Sequence, residues 1–394
     1  MRGFFGHSFP LALFVLLSAV PAEAQDSEAI YHDGARYDSV LSELYNYDLD
    51  AAESSLAKFI AESPQDPEPY FFMTLVRWWR FVGDTYSDSF RVAFLEAAEN
   101  SVKVCEDRLD AREDDAEAKF CLGGTCGYLS RYYISLNSLF NAYKYGKKAK
   151  DIFVEMVEAN DTLYDAYLAI GTYNCYAGTI PAPLRIIASL IGLGGDAELG
   201  VKQLRLAADS GSCAKTEALS MLGYVQLELQ KNYGAAVDDF SGLSARYPSN
   251  PVFRLLLSNS YRKSARYEEA IRVCTSCLQD SSVRYVSPNQ LAGIHAELAY
   301  CRMLSEDYAG AVRGYESCFA IATGSFLKES PWIYYNTGLC EERQHEYAAA
   351  EKYYRKVLYC EDYFDYHSMA RKSMERVRKR NSPVLQEKGI QQHP

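Results

Sequence analysis

The chain has 394 residues, of which 48% are hydrophobic and 24% charged, and its formal net charge is −11. That balance excludes an intrinsically disordered chain, which lacks the apolar content to offset the entropy of ordering. The acidic excess argues against phosphate-backbone binding as the main activity, so no nucleic-acid partner is expected.

At the N-terminus, Arg2 precedes an apolar run at 9–20, and Ala22, Glu23 and Ala24 supply the small residues that a signal peptidase needs. Residues 1–24 therefore read as a secretory signal peptide cleaved before Gln25. The run is too short for a comfortable membrane span, and no later segment is long and apolar enough for one. The expected product is exported, periplasmic or envelope-associated (secreted) and not integral to a membrane. Contact with a membrane surface stays open.

Residues 25–215 carry small residues followed four positions later by large ones: Ala52 and Leu56, Ala98 and Val102, Ala149 and Phe153, Gly200 and Leu204. Steps of three and four place side chains on one helix face, and the small member lets a neighbouring helix approach. The intervals exceed those of standard helical repeats, which predicts elongated, degenerate repeats here. Trp78 and Trp79 lie between Arg77 and Arg80. Cations beside rings carry interface energy, which makes both tryptophans candidate binding residues. Residues 165–178 read as a helix with small and aromatic faces, on which Tyr173 and Asn174 are candidates to line a pocket. Pro181 and Pro183 then break the pattern, and an apolar insert at 179–195 follows. It either packs into the array as an extra helix or projects to touch a membrane or hold an apolar ligand or lipid. With Arg185 as its single cation it lacks the basic face of a surface-lying helix, so packing is the favoured reading.

From 216 to 360 one phrase recurs four times, beginning at Tyr233, Tyr267, Tyr308 and Tyr347. Each carries a small residue (Ala236, Ala270, Ala311, Ala350) and four later a larger one (Phe240, Cys274, Tyr315, Tyr354). The small residues recur after 34, 41 and 39 positions. A first helix upstream carries a second small residue: Gly223, Ser258, Ala299 or Gly338. This pattern resembles the tetratricopeptide repeat, a helix A, a tight turn and a helix B. The resemblance implies an all-α fold, a right-handed α-solenoid of antiparallel helix pairs. The length suffices for about eight such pairs. Residues 361–380 form a basic helix that caps the array, and the tail 381–394 is expected to be disordered.

The stretch 171–211, with its Gly192, Gly194, Gly195 turn, is similar to a second group. These are the helical-repeat proteins of the eukaryotic inclusion-body-clearance family and similar bacterial tetratricopeptide proteins. That resemblance implies a helical adaptor with no defined catalytic residues.

Enzyme motifs are sparse. Cys274 and Cys277 fall on helix-B packing positions, with no preceding strand to make a thioredoxin-like site and no second pair for zinc. Neither Gly123-Gly124 nor the 192–195 glycines supply a phosphate loop. The carboxylates Glu113, Asp114, Asp115 and Glu117 suit a helix N-terminus. No catalytic residue, metal or cofactor is expected. In repeat arrays the A helices line the concave face, where register places Asn259, Arg262, Tyr300, Tyr335, Glu342 and Arg343. The expected function is a non-enzymatic scaffold or adaptor that binds a protein or peptide, or an envelope complex, on that face. The alternative is a carrier of an apolar ligand near the insert. Oligomeric state is left open.

Overall fold

The computed structural model describes residues 34–180, 194–323, 330–362 and 364–381. The signal-peptide segment, most of the 179–195 insert and the tail from residue 382 lie outside the described residues.

Among the described residues there are seventeen α-helices and no strand. They form eight successive A–B pairs and a terminal helix. The pairs are α1 (Gly34–Tyr45) with α2 (Leu49–Glu62), α3 (Pro67–Gly83) with α4 (Asp88–Ala111), α5 (Ala116–Ser135) with α6 (Leu139–Ala159), and α7 (Tyr167–Gly178) with α8 (Ala197–Ser210). Next come α9 (Lys215–Tyr224) with α10 (Tyr233–Arg246), α11 (Pro251–Lys263) with α12 (Tyr267–Gln279), α13 (Pro288–Leu304) with α14 (Tyr308–Ile321), and α15 (Pro331–Arg343) with α16 (Tyr347–Val357). Helix α17 (Tyr366–Arg380) closes the series. The chain is thus the tetratricopeptide-type solenoid that its phrases imply, and its longest pairs are the second and third, in which α4, α5 and α6 have 24, 20 and 21 residues.

Local chemistry explains where helices start. Asp48, Asp66, Ser87, Asp115, Asn232, Asn250, Ser287 and Asp307 each accept a backbone N–H of the first turn, which satisfies an otherwise orphaned donor. Pro67, Pro251, Pro288 and Pro331 occupy first-turn positions, where a missing N–H costs nothing. In six of the A–B turns one non-glycine residue takes a left-handed backbone: Tyr47, Asn137, Lys231, Ala265, Glu306 and His345.

Packing explains the repeated phrase. In four pairs the large residue of the B helix lies on the small residue of its own A helix. A Cβ at Gly223 would come within 2.9 Å of the Phe240 ring, and one at Gly338 within 2.8 Å of Tyr354. In the early region a Cβ at Gly123 would come within 2.8 Å of Phe153. Ser258 meets Cys274 Sγ at 3.1 Å. The rings of Phe240, Tyr315 and Tyr354 are fully buried. Cys274 and Cys277 are buried core thiols on α12.

The array also closes on itself. The α1–α2 turn and the end of α3 pack against the segments entering α11 and α13, more than two hundred residues on. Asn250 donates to the Tyr45 carbonyl (3.1 Å) and Ser249 to that of Asn46 (2.7 Å). Ser287 and Asn289 donate to Asp84, and Gln290 donates to the Tyr47 hydroxyl. Arg284 pairs with Asp48. Trp79 meets Phe253 edge-on at 5.2 Å, and Tyr45 meets Tyr247 at 5.5 Å. One apolar core consequently runs from Tyr37 to Leu257.

Candidate binding surfaces

The inner face of the early pairs lines a cavity of about 430 Å³ between α3, α5, α6, α7 and α9. Three helices supply its walls through residues on a single face, as three- and four-residue steps require: Gly124, Gly127 and Arg131 on α5, Ala142, Gly146 and Ala149 on α6, and Leu168, Thr172 and Tyr176 around α7. The rings of Phe71, Phe72, Phe120, Tyr128 and Phe153 fill out the lining. Leu139 and Thr179 are exposed residues of the lining.

Two of the charged groups in the wall satisfy each other. Arg131 donates to Glu217 at 2.7 Å, and Trp79 Nε1 donates to the other carboxylate oxygen at 3.0 Å. The Arg131 guanidinium also stacks at 4.8 Å from the Trp78 ring and 5.4 Å from Tyr128. A third, Asp165, accepts the backbone N–H groups of Ser212 and Ala214, each at 2.8 Å, while burial pushes its carboxyl up. The hydroxyls of Tyr45 and Tyr173, both lining residues, are buried and have no hydrogen-bond partner. Burial pushes both phenols up, so they stay protonated donors.

A second surface runs along the A helices of the C-terminal half. Arg262 donates to Glu297 at 2.7 Å, bonds Asn259 and stacks 5.0 Å from the Tyr300 ring. Tyr300 meets Trp332 edge-on at 5.3 Å. Tyr335 lies between Tyr354 and Tyr366. Glu342 is buried and accepts from Arg376, at 2.6 and 2.7 Å, and from Tyr354. Arg343 is exposed.

The sequence candidates therefore fall in three places. Asn259, Arg262, Tyr300, Tyr335, Glu342 and Arg343 lie on or beside the C-terminal A helices, and all but Arg343 are engaged with neighbours. Tyr173 is on the cavity wall, next to Asn174, which donates to Gln203 at 2.7 Å. Trp78 and Trp79 are core side chains, 6% and 4% exposed, that reach the cavity only through Arg131 and Glu217. Sequence reading missed Gly127, Arg131 and Glu217 as one constellation, because their contacts join helices far apart in the chain.

One carboxylate group among the described residues has the spacing of a metal site: ligand oxygens of Asp66, Glu68 and Glu117 lie within 4.8 Å of one another. Arg36 pairs with Asp66 and Arg108 with Glu117. Burial, then the neighbouring carboxylates, pushes Glu68 up to about 8. Two guanidiniums and one retained proton thus balance the three acids internally. Asp115 caps α5 and is held low by the Ala118 N–H and by Arg108 and Arg112 against the opposing effect of burial.

No protein-family model and no curated protein matches this chain. Among solved structures it is similar to the yeast Tom70 structure, at 11% identity over 93% of each chain with a TM-score of 0.44. It is also similar to YrrB, described as a tetratricopeptide-repeat protein with an unusual peptide-binding site, at 14% identity and a TM-score of 0.39. That match covers 56% of this chain and 97% of YrrB. A third is the human IFIT1 dimer with m7Gppp-AAAA, at 12% identity and a TM-score of 0.48, covering 90% of this chain and 74% of that one.

Proposed function

We propose that this chain is a non-catalytic scaffold that holds a protein segment against the A-helix face between α11 and α17. One observation carries the reading. Arg262, Tyr300, Trp332 and Tyr335 form a row across three successive A helices, each fixed by its neighbours and each still partly solvent-facing. Arg, Tyr and Trp are the side chains that dominate binding energy, and a pre-fixed side chain loses less entropy on association. Arg343, at the end of α15, adds an exposed cation. The chemistry suits an extended peptide with aromatic and acidic side chains. The reading includes export, for which the support is the segment 1–24.

Selection of a random peptide library on the full chain tests it. Enriched peptides are expected to lose about 10-fold or more in affinity to Tyr335→Ala and Arg343→Glu. Peptides indifferent to both substitutions, or no enrichment at all, would remove this face from consideration. N-terminal sequencing of the mature product tests export: a start at Gln25 supports it, and an intact Met1 in the exported fraction opposes it.

A further inference from the structure

The cavity behind α5 is built differently from the packed interior around it. Gly123 and Gly124 are explained by rings lying on them, since a Cβ at either would come within 2.8 Å or less of Phe153 or Phe71. Gly127, one turn further, has nothing within 4 Å of its Cβ position. A glycine inside a helix costs about 1 kcal/mol relative to alanine, and at Gly127 no close neighbour demands it. What the missing side chain leaves is space, facing Ala142, Gly146 and Ala149 of α6 across the cavity.

Size and chemistry narrow the occupant. An apolar cavity of about 150 Å³ takes one benzene ring, so 430 Å³ has room for roughly three such rings or a chain of equal volume. That falls within the range of small-molecule sites, about 300–1,000 Å³. Aromatic and aliphatic groups supply most of the wall. Arg131 and Glu217 neutralise each other, and Asp165 is taken up by backbone amides. A charged ligand would find no free counter-charge there and would lose its hydration without return. A ligand with an acceptor oxygen would find two unpartnered donors, the hydroxyls of Tyr45 and Tyr173, which are 2% and 9% exposed.

We propose that this cavity is a binding site for an uncharged, largely apolar small molecule carrying at least one hydrogen-bond acceptor oxygen. The Gly127 side of α5 makes room for its apolar body, and the Tyr45 and Tyr173 hydroxyls are the donors available to its acceptor oxygens. The site is separate from the α11–α17 face and does not depend on the scaffold reading.

Nile red, an uncharged apolar dye with a carbonyl oxygen, is the probe. Titrated into the purified full chain, it is expected to bind saturably at one site with blue-shifted emission. Gly127→Phe fills the cavity and is expected to weaken binding by about 30-fold or more. Tyr173→Phe keeps the packing and removes one donor, for an expected loss of about 3- to 10-fold. Tyr335→Ala, on the other surface, leaves binding unchanged. Circular dichroism and a thermal melt check that each variant folds, and Tyr173→Phe decides the matter if Gly127→Phe does not fold. The proposal is overturned if the folded wild-type chain binds no dye, or if binding is indifferent to both Gly127→Phe and Tyr173→Phe. Mass spectrometry of the native purified chain then separates sources: a co-purifying lipid ester or another neutral metabolite supports the site. Ordered water on both hydroxyls, with no ligand and no dye uptake, overturns it.

Discussion

Arg131 on α5 and Glu217 on α9 form an ion pair at 2.7 Å between helices 86 residues apart in sequence. Glu217 is 2% exposed, so its charge is held inside the protein by this guanidinium and the Trp79 N–H. Removing one partner strands the other, which costs about 3 kcal/mol or more, whereas removing both together costs less. Arg131→Met is expected to lower stability by about 3 kcal/mol, and Arg131→Met with Glu217→Leu by clearly less. Urea titrations of the three chains measure this. Equal losses in single and double variants would mean that the pair contributes by packing alone.

Two helix glycines should respond in opposite directions. Gly127→Ala adds a methyl into open space and removes backbone freedom from the unfolded chain, for an expected gain of about 0.5–1 kcal/mol. Gly171→Ala places its methyl 2.8 Å from the Gly200 carbonyl oxygen and 2.9 Å from the Leu204 nitrogen. Both are backbone atoms that cannot swing aside, and forcing α7 and α8 apart costs about 1–3 kcal/mol. Thermal melts of the two variants should shift to opposite sides of the wild type.

Glu68 should give stability a pH dependence. Its folded-state value is about 8 against an ordinary 4.5, because burial and the neighbouring Glu117 and Asp66 carboxylates disfavour the charge. Between those values the folded state binds a proton that the unfolded state has released. Stability from this group is therefore full below pH 4.5 and is lost as pH rises through 8, by at most about 1.4 kcal/mol per unit. Glu68→Gln should flatten that part of the profile. Denaturant midpoints from pH 5 to 8, unchanged in slope by the substitution, would refute the assignment.

Closure should make the first six pairs unfold together. Asn250 caps α11 and donates to Tyr45, so Asn250→Ala loses both roles, about 2 kcal/mol. Hydrogen exchange should then rise in α1 and α3 as well as in α11. Exchange confined to α11 would show that the early pairs do not lean on it.

The repeat was legible because its signal is local. Ala236 and Phe240 are four residues apart on one helix, and the small partner Gly223 follows from the same register. The closing contacts have no such signal: Asn250 reads as a helix cap, Asp84 as a turn acid, and neither names a partner more than two hundred residues away. Gly127 was hidden for a related reason, since in sequence it looks the same as Gly123, whose role is steric. For Arg262 the residue type pointed to a partner, and the structure supplies one from within, Glu297 on the next A helix.

Closure also fixes how the molecule bears load. In an open solenoid each pair touches only its neighbours, so a pull on the ends unzips it one pair at a time at low force. Here α15, α16 and α17 are outside the closing contacts and should peel first. The stretch from α1 to α13 should hold until the contacts at Tyr45, Asp48 and Asp84 shear together, a single high-force event at the end of a staircase.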